Sequence, residues 1–341
     1  DSAVISSGAG AQGAFNAAAG ALQQSATPQI AQRSLASLSG ELHSADAAFA
    51  MMAIEGNRRA LESRLDAQYL DRHDGAWSDR IDTQRVAAGR FDLDARGWIV
   101  GHDQRLGALS VGAAVSQTDG YAYTQLRRDR ERNRQIEGQF YASWDRGGSY
   151  VMGRAAFGNM DRYLQREIQL GASQFGTGSN YADRYINLGV QAGHRFELRN
   201  GLLTPYLGAQ SLRLNRDGFQ EAGAAGFGLS AGDSNLSATQ LLAGARLERE
   251  WRLGSALLSL SGRAEWQRTV AQSGRFIDAR FTGLEVWSPI VSDPFSREAG
   301  VLGVGLSARF ARGGVLSLDL DNRYEFGRQY PRALANWSFS F

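Results

Sequence analysis

From about residue 76 to its end, the chain alternates apolar and polar side chains with a period of two, segment after segment. Between residues 314 and 326, Leu316, Leu318, Leu320, Tyr324 and Phe326 take turns with Ser317, Asp319, Asp321, Arg323 and Glu325. In the last stretch Ala333, Ala335, Trp337, Phe339 and Phe341 oppose Asn336, Ser338 and Ser340. That period gives a strand one hydrocarbon face and one polar face. A sandwich would turn the charged face to bulk water; a transmembrane barrel would turn it to a wet lumen. The number of strands and the pattern of their connections decide between the two.

Twelve strands are predicted, at about 76–87, 95–104, 108–118, 134–145, 149–162, 184–197, 203–216, 237–250, 255–270, 298–310, 314–326 and 333–341. The pattern is plainest where Ile136, Phe140, Ala142 and Trp144 alternate with Gln135, Glu137, Gln139 and Ser143. The connections after strands 2, 4, 6, 8 and 10 are tight, as in Arg105-Leu106-Gly107 and Arg146-Gly147-Gly148, while those after strands 3, 5, 7 and 9 run to roughly fifteen residues or more. Short turns on one rim and long loops on the other mark outer-membrane barrels. Aromatic girdles fit both rims: Trp144, Tyr150, Trp251, Phe310, Trp337 and Phe341 near the short turns, and Tyr121, Tyr123, Tyr163, Trp266 and Phe326 near the loops. Closure also removes the open sheet edges that lipid cannot tolerate.

At 341 residues the chain has room for two ordinary domains or one large β-architecture. It has no Cys, which rules out disulfides and thiolate metal sites. The formal net charge of +2 is interspersed along the sequence, so no nucleic-acid surface is implied. No apolar run approaches the ~20 residues of a membrane helix, which excludes helical spans and says little about strands. A chain opening at Asp1 without a signal-peptide pattern reads as a mature or excised piece.

Residues 1–45 read as a linker or the stub of an upstream passenger with some helix, and Pro28 suits a first helical position. Residues 46–72 read as one helix, whose stripe Ala47, Met51, Ile54, Arg58, Leu61, Leu65 steps by four and three. Its other faces carry Glu55, Asn57, Arg59, Glu62, Arg64 and Asp66, with Glu55 and Arg59 spaced for an i,i+4 pair. Twelve strands, making up residues 76–341, enclose a lumen wider than side chains fill. The helix is predicted to occupy it, through Met51, Ile54, Glu55, Arg58, Arg59, Glu62 and Leu65, against lumen-lining Glu137, Glu265, Asp319, Asp321 and Glu325. The predicted fold class is all-β: a 12-stranded antiparallel transmembrane β-barrel with an N-terminal α-helix in the lumen.

This order of linker, lumen helix, twelve strands and terminal Phe resembles the C-terminal translocator (β) domain of type V autotransporters, from about residue 46 to the end. The segment Leu38-Ser39-Gly40-Glu41-Leu42-His43-Ser44 is similar to the one before the barrel in autotransporters with subtilisin-like protease passengers. Leu203-Thr204-Pro205-Tyr206-Leu207, and Asp217-Gly218-Phe219 with the Ala and Gly after it, look like the same branch. The resemblance implies a domain that inserts in the bacterial outer membrane, exports its upstream passenger and anchors or releases it. It implies a C-terminus in the periplasm and a passenger outside. The implied partners are outer-membrane lipid and lipopolysaccharide, the chain's own passenger and the barrel-assembly machinery, with no nucleic acid and a monomeric state. Trp337, Phe339 and Phe341 match the terminal assembly signal. Some relatives cut the passenger free at an Asn-Asn pair in the helix, where this chain has Gly56-Asn57.

No catalytic residue, metal site or cofactor is predicted. The four His, at positions 43, 73, 102 and 194, form no metal-binding spacing, and no GxSxG elbow or subtilase triad can be assembled. The run Arg127, Arg128, Asp129, Arg130, Glu131, Arg132, Arg134 reads either as a solvated mixed-charge loop or as contacts to lipopolysaccharide phosphate. A porin-like channel and an outer-membrane barrel enzyme stand as the alternative functions, and a soluble sandwich as the alternative fold.

Overall fold

The computed structural model of the chain describes residues 27–71, 74–87, 91–124, 129–283, 289–292, 295–310, 314–325 and 327–339, besides positions 13, 16, 17 and 20. Twelve strands form one antiparallel sheet in strict sequence order: β1 Gly75–Ala87, β2 Phe91–Leu106, β3 Leu109–Thr124, β4 Arg130–Arg146, β5 Ser149–Leu170, β6 Ser173–His194, β7 Gly201–Arg216, β8 Ser234–Leu253, β9 Ala256–Ser273, β10 Glu298–Arg309, β11 Gly314–Glu325 and β12 Arg328–Phe339. The sheet curls until β12 comes back against β1. Among the described residues no ladder joins these two strands.

The sheet is inside-out relative to a soluble protein. On β4, Glu131, Asn133, Gln135, Glu137 and Gln139 are buried, while Ile136, Phe140 and Trp144 between them face outward. Phe140 is 65% exposed and Leu207 67%, against 1% for Glu137 and 0% for Asp183. An exposed apolar surface that continues over strand after strand is far larger than a soluble monomer carries, and it suits hydrocarbon. No helix among the described residues is long and apolar enough to cross a membrane.

Two of the predicted long loops are largely strand. β5 and β6 run to 22 residues each, about twice the 9–11 that cross a bilayer, and are joined by a tight turn at Gly171. The period-two pattern continues past Arg162 through Leu164, Arg166, Ile168 and Leu170, all buried on one face, and so the ladder persists beyond the membrane. After β3 the pairing likewise extends to Tyr123↔Arg130. The connections after β7 and β9 remain long. Their short strands Phe219–Gln220, Leu229–Ala231 and Ala279–Phe281 make a small sheet of their own.

Before the barrel lie helix α1 (Pro28–Ser37), a 3-10 turn (Glu41–Ser44) and helix α2 (Ala45–Asp71). Thr27 caps α1 by accepting the Ile30 N–H, and Pro28 takes the first turn, where its missing N–H costs nothing. Gly40 breaks the chain between α1 and the 3-10 turn at φ 60, and a Cβ there would lie 2.2 Å from the Leu229 side chain. The α1 helix packs on the projecting β5–β6 hairpin, where Ser34 Oγ accepts from Gly171 N at 3.2 Å and Ser37 Oγ from Gln169 N at 3.0 Å. α2 then runs down the lumen for about 40 Å at 1.5 Å per residue.

Candidate functional site

The lumen is filled by α2. Its first ten residues, Ala45 to Ile54, are buried on every side. The sequence reading of a narrow apolar stripe with polar flanks therefore holds only for the second half. Enclosure on all sides removes the advantage of a one-sided stripe. The helix is instead divided along its axis: Ala, Met and Phe toward the long-loop end, ionised side chains toward the short-turn end. Phe49 presses against Gly120 of β3, where a Cβ would sit 2.4 Å from its ring.

Charged ties run the length of the helix. At the long-loop end Asp46 accepts from Arg216 on β7, whose other nitrogen reaches Ser292 Oγ at 2.7 Å, and Arg162 lies 3.8 Å away. Glu55 meets Arg323 of β11 at 3.1 Å, and Arg323 in turn holds Glu325 at 2.8 Å. Arg58 bridges Glu62 and Glu265, at 2.7 Å to each. Glu62 accepts from Arg263 at 2.6 Å, and Arg246 lies 3.4 Å away. Arg64 grips Asp103 through two nitrogens at 2.9 and 2.8 Å. At the short-turn end Asp66 accepts from Arg195 at 2.7 Å and Arg246 at 2.8 Å. Asn57 Nδ2 donates to Ser116 Oγ at 2.9 Å and Glu137 Oε1 at 2.8 Å.

Of the predicted lining acids, Glu137 and Glu265 touch the helix directly and Glu325 reaches it through Arg323. Asp321 and Asp319 sit on the lumen side of β11, their carboxylates covering Gly303 and Gly305 of β10. Met51, Ile54, Leu61 and Leu65 are buried in the apolar contacts of the helix. Glu55, spaced along the helix for a pair with Arg59, is met by Arg323 from β11, and Arg59 Nε has no hydrogen-bond partner among the described residues. The sequence reading set helix arginines against wall acids. The larger share of the ties runs the other way, with Asp46, Glu55, Glu62 and Asp66 held by Arg162, Arg216, Arg323, Arg263, Arg246 and Arg195. Those wall arginines were visible only as inward positions of each alternating strand.

Tyr150, placed by the sequence reading in an aromatic girdle, points inward at 2% exposure beneath the Arg195 guanidinium, 4.3 Å away. Even-numbered residues of β5 face the lumen, and Tyr150 shares their parity. Trp144, Phe310, Tyr121, Tyr123, Tyr163 and Trp266 are exposed. Phe326 and Phe341 lie outside the described residues, as do His73 and the linker before Thr27 apart from four positions. The backbones of Trp337 and Phe339 pair with Leu316 and Gly314. No group of three metal-ligating side chains occurs among the described residues.

The mouth at the long-loop end is closed by a second cluster. His43 Nε2 lies 2.8 Å from Glu221 Oε1 and its Nδ1 2.9 Å from the Tyr181 hydroxyl, while its ring stacks on Phe219 at 3.8 Å between centroids. Glu221 also accepts from Arg166 at 2.9 Å and from Leu229 N at 2.8 Å. Because the carboxylate only accepts, it fixes the imidazole proton on Nε2 and leaves Nδ1 to accept from Tyr181. Burial, outweighing the Glu221 hydrogen bond, pushes the His43 pKa down to about 4. The sequence signals for this cluster were the Leu38–Ser44 segment and Asp217-Gly218-Phe219, both met in the family resemblance.

An inside-out antiparallel barrel whose lumen is occupied by the helix that precedes its first strand defines an outer-membrane barrel carrying its own plug. The profile of the autotransporter beta-domain matches residues 72–321, and the chain belongs to that family, a transport domain of the outer membrane rather than an enzyme. The chain is 23% identical over 336 residues to an extracellular serine protease of Serratia marcescens, covering 92% of this chain and 31% of that protein's length. Two solved structures share its fold. The translocator domain of the autotransporter NalP from Neisseria meningitidis superposes with a TM-score of 0.59 at 16% identity, over 85% of this chain and 97% of that one. The beta domain of the Bordetella autotransporter BrkA does so at 0.53 and 17% identity, over 78% and 99%.

Proposed function

We propose that this domain exports a passenger joined to its N-terminal side and then holds the end of that passenger in its lumen. The observation that carries the reading is α2 itself, tied to the barrel wall from Asp46 to Asp66. A porin would have no use for a helix so bound. In this reading the long-loop end faces the exterior, where α1 leaves the lumen, and the short turns and C-terminus face the periplasm. The passenger is a serine protease, as the 23% identity to the Serratia extracellular serine protease supports, of the subtilisin-like kind that the Leu38–Ser44 segment resembles. The chain acts as a monomer. Trp337, Phe339 and Phe341 present the assembly signal to the barrel-assembly machinery, and the outward apolar band meets outer-membrane lipid.

The test is planar-bilayer conductance of the detergent-purified chain and of a version lacking residues 1–70. Low conductance in the full chain with large, stable openings in the truncation is the expected result. Equal conductance in both would overturn the plugged-translocator reading and return the porin-like alternative.

A further inference from the structure

The outward face of β3 to β6 changes character along a sharp line. Below it stand Val115, Ile136, Phe157 and Ile186, each 42% exposed or more and suited to acyl chains. Above it, on β4, come Arg134, Arg132 and Arg130 in succession, all exposed. Tyr121 and Tyr163 pair with Arg132 from either side, and Tyr123 pairs with Arg130. Tyr121 and Tyr123 stack with ring centroids 6.0 Å apart.

The three arginines are not equally engaged. Arg134 is held by Asp119 at 2.9 Å and sits across from Asp161, and Arg130 Nε donates to Gln165 at 2.8 Å. Arg132, between them, is exposed and makes no hydrogen bond or ion pair among the described residues, acting on Asp119 by charge alone, and it carries five N–H donors. Beside Arg130 and Tyr163 a groove of about 690 Å³ continues along the projecting hairpin past Gln165, Glu167, Gln174 and Phe175. Amide, carboxylate and aromatic side chains in an open groove suit sugar hydroxyls and ring faces.

We infer that this face binds a phosphorylated, acylated glycolipid of the outer leaflet: acyl chains on the apolar rows, phosphate at Arg132 with Arg130 and Arg134 beside it, and saccharide in the groove. The three features lie in the order that such a molecule presents them. A guanidinium is the group best matched to phosphate, and its placement at the edge of hydrocarbon lowers the local dielectric and strengthens the contact. The inference rests on the outer-membrane reading of the barrel.

The experiment is native mass spectrometry of the full chain in detergent, titrated with bis-phosphorylated lipid A, with dephosphorylated lipid A and with phosphatidylglycerol, and with inorganic phosphate as competitor. Bis-phosphorylated lipid A is expected to bind, dephosphorylated lipid A to bind at least roughly tenfold more weakly, and R132Q to weaken binding by a similar factor. R268Q, which alters an exposed arginine on β9, should leave binding unchanged. Equal binding of the dephosphorylated lipid or of phosphatidylglycerol, an equal loss in R268Q, or full displacement by millimolar phosphate would overturn the site. Insertion into vesicles is scored separately: a chain that does not insert overturns the barrel reading, whereas one that inserts and binds all lipids alike overturns only this site.

Discussion

His43 and Glu221 meet at 2.8 Å with both side chains wholly buried, and they join the segment leaving the lumen to the loop that covers it. Burial holds the imidazole neutral down to about pH 4, against an ordinary value of 6.5. Burial works to raise Glu221, but its hydrogen bond from His43 and the charge of Arg166 outweigh it and hold the carboxyl below its ordinary value. Both shifts act in the same direction. Between pH 6.5 and 4 an opened mouth takes up a proton on His43 that the closed one refuses, so closure is lost as the pH falls, by about 3 kcal/mol over the window. Protease access to the 28–44 segment should therefore rise steeply between pH 6.5 and 4, and H43Q should flatten the profile. An unchanged profile in H43Q would place the titration elsewhere.

At the other end of the helix, Asp66 stands between Arg195 and Arg246. D66N keeps the shape but removes the carboxylate between two buried guanidinium groups, leaving Arg246 with Glu62 at 3.4 Å and Arg195 with Asp145. Removing one partner of a buried pair costs on the order of 3–5 kcal/mol, less where water reaches the site. The expected result is a lowered melting temperature together with frequent channel openings, since the lost ties are those between plug and wall. A lowered melting temperature with silent bilayers would mean that Asp66 stabilises the wall and not the plug's seat.

Gly158 of β5 lies under the ring of Tyr185 on β6, and a Cβ there would come within 2.0 Å of the ring. The Tyr185 hydroxyl donates to Glu137 at 2.5 Å, so the ring position fixes the carboxylate that receives Asn57. G158A should cost about 1–3 kcal/mol by forced displacement of a packed ring. In thermal melts G158A should cost less in a Y185A background than in the unaltered chain, because the obstructing group is a side chain. An equal cost in both backgrounds would mean that the strand backbone is what yields.

The twelve strands were legible because a barrel in lipid must repeat one rule, hydrocarbon outward and polar inward, at every crossing. Strand ends were less so, since β5 and β6 keep alternating after they leave the membrane and nothing local distinguishes the two regions. The inward parity of Tyr150 followed from the same rule and was overridden by a preference for aromatics at rims. Occupancy of the lumen could be argued from its width. Which side chains meet across it depends on the rotation and depth of α2, and those are set by packing of Phe49 on Gly120 and of Asp46 at Arg216, contacts between residues 71 and 170 positions apart.

Glu55 offers a direct measure of that difference. Spacing along the helix pairs it with Arg59, whereas the fold brings Arg323 to 3.1 Å from its carboxylate. Arg323 is hydrogen-bonded to Glu55 through Nη1, and the Glu55 charge also acts on Arg59. A double-mutant cycle of E55Q with R323Q should give a coupling of about 1–3 kcal/mol, as hydrogen-bonded pairs in one network do, and E55Q with R59Q a value of no more than about 0.5 kcal/mol. Chemical denaturation in detergent can resolve the two, provided the slope with denaturant is unchanged across the variants. Equal couplings would mean that α2 sits at another rotation in the lumen, and the ties from Asp46 to Asp66 would have to be redrawn with it.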